Sequence, residues 1–285
     1  MQSQKKLKKA TEMEESNALD LDLLLNQLGQ VGKRLSDIGA AEGAAGNISV
    51  CFREPLNITV LFPDMKVIEL PLAAPKLAGA TLIVTGSGRR LREIMDAPTA
   101  NLACIVIEEG GGTGKMFTSP DCRFNRVTSE FNSHLAVHHA QMQLPEIRLH
   151  TVLHAQPVHL TYLSHISRYQ DERYLNTHLL RWQPETILSI PEGIGVLPFI
   201  LLGSAEQMTE TVQSTQVHQI IVWSRHGVLS RSHDSIFHAL DLIEYAETAA
   251  HYEYLNLTAG EPSNGLSPEH LREISKLWNV PQNIF

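Results

Sequence analysis

The sequence predicts an α/β fold built as a single domain. Three observations carry this reading. β-Prone apolar runs alternate along the chain with segments of helical spacing. Of the 285 residues, 43% are hydrophobic and 19% charged, the balance of a globular protein able to bury a sizeable core. No internal repeat or low-complexity linker divides the chain.

The N-terminus, MQSQKKLKKATEMEE, is basic then acidic and carries no apolar h-region, so residues 1–16 read as a disordered tail ahead of a domain over 17–285. A helix is expected over 17–37, where Leu21, Leu24, Leu25, Leu28, Val31 and Leu35 fall on one face. A small-residue segment, 39–47, then leads into a short strand over 48–52. Further strands are expected over 58–62, 81–85, 103–108, 148–154, 187–190 and 220–223. Helices are expected over 130–142, 205–217, 235–256 and 267–278. The third of these is best marked, because Ile236, Leu240, Ile243, Ala246, Ala250 and Tyr254 keep helical spacing behind an Asp234 or Ser235 cap. The clusters at 110–114 and 261–265 read as loops within the domain.

A net charge of −8 argues against a broad grip on nucleic acid or an anionic membrane and favours a small or locally bound partner. Cys51, Cys104 and Cys122 form no closed disulfide framework, and none lies in a Cys-x-x-Cys pair. With no stretch long enough to span a bilayer, the cytoplasm is the expected setting.

Most of the 14 histidines are expected to be core or surface residues. Two stand apart by position. His154 closes the apolar strand, and His226 follows the strand ending at Trp223 and precedes Gly227, so both imidazoles emerge where a strand gives way to a turn. Such a pair can share a metal. Thr85-Gly86-Ser87-Gly88 offers backbone N–H groups and hydroxyls beside Arg89 and Arg90, which suits phosphate, although a plain β-turn explains the same residues. Gly46-Asn47 combines close backbone approach with an amide donor, and is equally a good turn before a strand.

Taken in order, these features resemble the class II aldolase and adducin family, and within it the rhamnulose-1-phosphate aldolase branch. The likeness rests on Gly46-Asn47-Ile48-Ser49, the run 83–88, Thr128-Ser129-Glu130, His154-Ala155, the run 190–198 and His226-Gly227-Val228, and extends from about residue 30 to the C-terminus. It implies a single α/β domain with a central, mostly antiparallel sheet flanked by helices, assembled as a homotetramer with sites at subunit interfaces. It implies a lyase that cleaves a phosphorylated ketose to dihydroxyacetone phosphate and a small aldehyde through a metal-stabilised enediolate, with Zn2+ or another divalent ion as cofactor. On this resemblance His154 and His226 are metal ligands, Glu130 moves the proton at the enediolate carbon, Gly46, Asn47, Ser87, Gly88 and Ser129 hold the phosphate, and Glu185 serves the aldehyde oxygen from a neighbouring subunit. The plain structural alternative for Glu130 is a carboxylate that complements the start of a helix.

One departure is marked. The family pattern is His-x-His-Ala, and Val152 stands where the first histidine belongs. His150 shares its face of the strand and is the candidate third ligand, but a displacement of roughly 6.6 Å along the strand exceeds what an imidazole recovers without a bulge. His134, His159 or a histidine of another subunit are alternatives that nothing in the sequence separates. Two further functions therefore stand beside the aldolase: a non-catalytic adducin-like scaffold, and an epimerase or dehydratase of the same family.

Overall fold

The structure, a computed structural model, describes residues 20–54 and 56–285. The expected tail and the first residues of the expected N-terminal helix lie outside the described residues. Helix α1 spans Leu21–Asp37, and the Asp20 carboxylate caps it by accepting from the N–H groups of Asp22 and Leu23. Its heptad-like leucines bury Leu24, Leu25, Leu28, Val31 and Leu35, while Leu23 on the opposite side is exposed.

Among the described residues nine strands follow: β1 Asn47–Phe52, β2 Asp64–Glu69, β3 Thr81–Thr85, β4 Leu102–Ile107, β5 Thr113–Thr118, β6 Leu149–Ala155, β7 Gly195–Leu197, β8 Ile220–Trp223 and β9 Gly227–Ser232. They form one sheet in the order β2-β5-β4-β3-β1-β6-β9-β8-β7, antiparallel throughout except where β7 joins β8. The remaining helices are α2 Pro98–Asn101, α3 Phe131–Gln141, α4 Val158–Leu163, α5 Glu172–Leu179, α6 Pro184–Ser189, α7 Ala205–Ser214, α8 Ile236–Thr258 and α9 Pro268–Leu277. The expected α/β architecture with a mostly antiparallel sheet is thus the observed one.

Strand alternation splits the core into two layers. Ile48, Val50 and Phe52 of β1 pack with α1 and α8, whose buried residues join the same large cluster. Asn47, Ser49 and Cys51 therefore point to the other face, which α3 covers with Phe131, Leu135 and Val137. The polar members of that second face become the site.

Two expected strands are not strands. Residues 58–62 turn instead, with the Phe62 N–H donating to the Ile58 carbonyl at 2.9 Å, so the two buried apolar residues repeat at four and not at two. Residues 187–190 belong to α6 and its end, because Pro184 fits the first helical turn and Thr186, Ile187 and Ile190 share the buried face. The chain also forms β2, β5, β7 and β9, which were not expected. β2 is an edge strand whose residues are nearly all exposed, and thus shows no apolar alternation.

If α1 is held by this burial, Leu28→Ala lowers unfolding free energy by about 2–5 kcal/mol, whereas Leu23→Ala changes it by no more than about 0.5 kcal/mol. Urea titration of both variants checks the contrast, and equal effects would contradict the assigned face.

Candidate active site

The pairing of β1 with β6 sets the site. In its register Asn47 lies opposite His154, Ser49 opposite Val152 and Cys51 opposite His150, all on the α3 side. Gly46 must precede Asn47 in the left-handed region at φ 79°, and a Cβ there would lie 2.9 Å from the His154 carbonyl oxygen. Any side chain would push β1 away from the histidine.

Glu130 stands at the N-cap of α3 but makes no side-chain capping bond. Its carboxylate turns into the sheet instead, where Asn47 Nδ2 donates to Oε2 at 2.7 Å. His154 Nε2 lies 3.6 Å from Glu130 Oε2, and His226 Nε2 lies 3.6 Å from Glu130 Oε1. The helix-start explanation therefore does not account for where this carboxylate points.

His226 arrives by way of the β8–β9 hairpin. Trp223 pairs with Gly227, and Arg225 takes the left-handed conformation at φ 66° to close the turn, its N–H donating to Ser164 Oγ at 2.7 Å. Gly227 is required sterically, since a Cβ would collide with the Ala155 carbonyl. The Trp223 ring stacks on His226 at 5.3 Å between centroids and also packs on His154 at 4.9 Å.

One coordinating atom from each of Glu130, His154 and His226 fits within a 4.8 Å span. His154 Nδ1 lies 2.8 Å from the Val228 carbonyl, which can only accept, so Nδ1 carries a proton and Nε2 is the ring atom turned toward Glu130. Glu130 Oε1 and His226 Nδ1 have no hydrogen-bond partner among the described residues, although both are buried. Two imidazole nitrogens and a carboxylate at this spacing fit a divalent metal. Burial, and then the field of His154, push His226 down to about 4 against the opposing pull of Glu130. A neutral imidazole is the ligand form.

The same three residues share a cavity of about 160 Å³ with Gly46, Asn47, Ser87, Gly88 and Ser129. The structure thus brings together the expected acid/base, two expected ligands and every expected phosphate residue. The loop 86–88 is a poorer nest than its sequence suggests: the Gly86 and Ser87 N–H groups donate to Asn101 and Arg126, and Gly88 alone keeps a free N–H among the described residues. Arg89, which also lines the cavity, supplies positive charge there and is held by Asn101 at 2.7 Å and by Glu93. Its place directly after Gly88 was the available signal.

Other expected residues lie elsewhere. His150 is fully buried and bonded to His138 at 2.7 Å, outside the group of coordinating atoms. It shares the face of His154, but two residues along an extended strand carry it past Val152 and out of reach. Val152 packs with Val137, Leu197, Ile221, Trp223 and Leu229 as an apolar wall behind the site. His159 bonds Glu247 at 2.7 Å, and Glu185 is exposed at the start of α6, neither lining the cavity.

Residues 26–254 match the model of the class II aldolase and adducin N-terminal domain, and the chain belongs to this family. Among its relatives is a rhamnulose-1-phosphate aldolase of Enterococcus faecalis, 30% identical over 80% of this chain and 81% of that protein. Another rhamnulose-1-phosphate aldolase, from Bacteroides thetaiotaomicron, is 26% identical over 90% of this chain and 95% of its own length. A solved sugar-phosphate aldolase from Thermotoga maritima superposes with a TM-score of 0.71 at 25% identity, covering 85% of this chain and 97% of that one. Family and relatives together support an aldolase-type lyase. No helix among the described residues is long and apolar enough to cross a membrane.

In metal-free protein, stability is expected to be complete above the ordinary imidazole value of about 6.5 and to fall as pH drops toward 4, because the unfolded chain takes up a proton that folded His226 refuses. His226→Asn makes that decline shallower. Urea titrations at stepped pH check this, and an unchanged slope would remove His226 from the account.

Proposed function

We propose that this chain is a metal-dependent class II aldolase that cleaves a phosphorylated ketose of the rhamnulose-1-phosphate kind to dihydroxyacetone phosphate and a small aldehyde such as lactaldehyde. The observation that carries this reading is the single cavity in which Glu130 and two imidazoles adjoin the Gly46-Asn47 and Ser87-Gly88 loops. The names of the two rhamnulose-1-phosphate aldolases support the choice of sugar.

In this reading the phosphate rests against Gly46, Asn47, Ser87, Gly88 and Ser129, with Arg89 balancing its charge. His154 and His226 hold the cation, for which Zn2+ suits the donor set, and Glu130 stands beside it. The bound cation supplies Lewis-acid stabilisation of the negative charge left on the ketone-side fragment when the C–C bond breaks. Asn47 fixes Glu130 through Oε2, leaving Oε1 to give a proton to the fragment's carbon in cleavage and to remove it in synthesis. Glu185 exchanges the proton on the aldehyde oxygen in the site of a neighbouring subunit, within a cytoplasmic homotetramer.

Val152 favours a second reading, in which a non-catalytic scaffold keeps the fold and the phosphate pocket. Elemental analysis of the purified protein with an assay of rhamnulose-1-phosphate cleavage separates the two. Stoichiometric metal with turnover is expected, and Glu130→Gln then lowers kcat by about 10²–10⁴-fold. Metal-free, inactive protein that gains both properties in Val152→His would overturn the aldolase reading.

A further inference from the structure

The α3 face of β1 and β6 carries a polar seam that the proposed chemistry leaves unused. Glu130, His134 and His138 recur every four residues along α3 and face Asn47 and Ser49 of β1. Ser49 Oγ lies 2.6 Å from His134 Nδ1 and 2.7 Å from His138 Nε2, and His138 Nδ1 lies 2.7 Å from His150 Nδ1. All four side chains are fully buried. At one end His134 Nε2 has no partner among the described residues, and its ring lies one helical turn from Glu130 on the face of α3 that meets β1. At the other end His150 Nε2 is also unpartnered, and its ring packs 4.8 Å from that of exposed His233.

Three neutral imidazoles and one hydroxyl, each short contact carrying one hydrogen, give two proton arrangements when the Ser49 hydrogen is used within the chain. In the first, His150 Nδ1–H donates to His138 Nδ1, His138 Nε2–H to Ser49 Oγ and Ser49 Oγ–H to His134 Nδ1, so His134 carries its own proton on Nε2. In the second every donor and acceptor is reversed, and the outer proton sits on His150 Nε2. Release of the His134 Nε2 proton to the cleft, a shift of each bridging hydrogen by one place, and uptake of a proton at His150 Nε2 convert the first into the second. One proton enters, one leaves, and the core gains no charge. Burial supports this neutrality, holding His138 at about 3 and both other rings well below the ordinary imidazole value.

We propose that Ser49, His134, His138 and His150 form a proton relay that joins the cleft to the surface at His233 by concerted tautomer exchange. It serves the proton traffic of the aldolase reading and rests on that reading for its use, but not for its existence.

In the full chain labelled with 15N-histidine, long-range 1H–15N NMR reads the tautomer of each ring. His150→Phe, three links away from His134, is expected to shift the His134 tautomer balance, and the gentler Ser49→Ala to do the same. A His134 tautomer identical in the parent and both variants would overturn the relay. Deuterium uptake from D2O into dihydroxyacetone phosphate gives a second readout, expected to slow at least about tenfold in Ser49→Ala with metal content and thermal unfolding held. Parent-like exchange in that variant would also overturn it. A parent that exchanges no deuterium defeats the aldolase reading instead, and the tautomer measurements still decide the relay.

Discussion

Everything in the site depends on the register of β1 against β6. A slip of β1 by one residue would turn Asn47 into the apolar layer beneath α1 and α8, and bring Ile48 to the cleft beside His154. Register also explains why Gly46 has no alternative, since the chain enters β1 by passing directly over the His154 carbonyl. β9, next to β6, accepts the His154 ring proton at Val228 and delivers His226 from its opening turn. One strand pair thus positions one cleft imidazole directly, its orientation through a neighbour, and a second imidazole through that neighbour's hairpin.

The same face shows how a missing imidazole can be absorbed without damage to the fold. Val152 is not a stray residue in a polar pocket but part of a closed apolar cluster with Trp223 and Leu229. Trp223 has its indole N–H satisfied by Thr211 at 3.0 Å, which leaves its rings to brace both cleft histidines. An apolar wall beside the two imidazoles lowers the local polarity and strengthens the electrostatic coupling among Glu130, His154 and His226.

Much of this was legible in the sequence where local pattern and tertiary role agree. Buried apolar runs mark β3, β4, β6 and β8, and serine caps with apolar spacing mark α8 and α9. His154 and His226 were legible because each ends or follows such a run. β2 was not, because its neighbour β5 supplies hydrogen bonds but no burial, so the exposed strand keeps polar residues on both faces. The position of His150 was not legible either. Alternation gives its face but not its distance from the cleft, and its partner His138 comes from a helix whose orientation over the sheet depends on contacts far apart in sequence.

Buried polar side chains are satisfied differently in the core and in the cleft. Asn176 is a buried polar residue with a structural part: its Nδ2 donates to the Glu172 and Ile194 carbonyls and its Oδ1 accepts from the Ile194 N–H, so both of its polar side-chain atoms are partnered. The cleft and the histidine seam differ. Asn47 Oδ1, Glu130 Oε1, His134 Nε2, His150 Nε2 and His226 Nδ1 are each buried without a partner among the described residues. An unmet buried group costs about 1–3 kcal/mol, which a bound group that meets it would offset. Thr161 Oγ1, Arg181 Nε and Ser224 Oγ are likewise unpartnered, so such atoms alone do not mark a site; what distinguishes those of Asn47, Glu130 and His226 is that their residues line one cavity, where a bound group can meet what the fold leaves unmet.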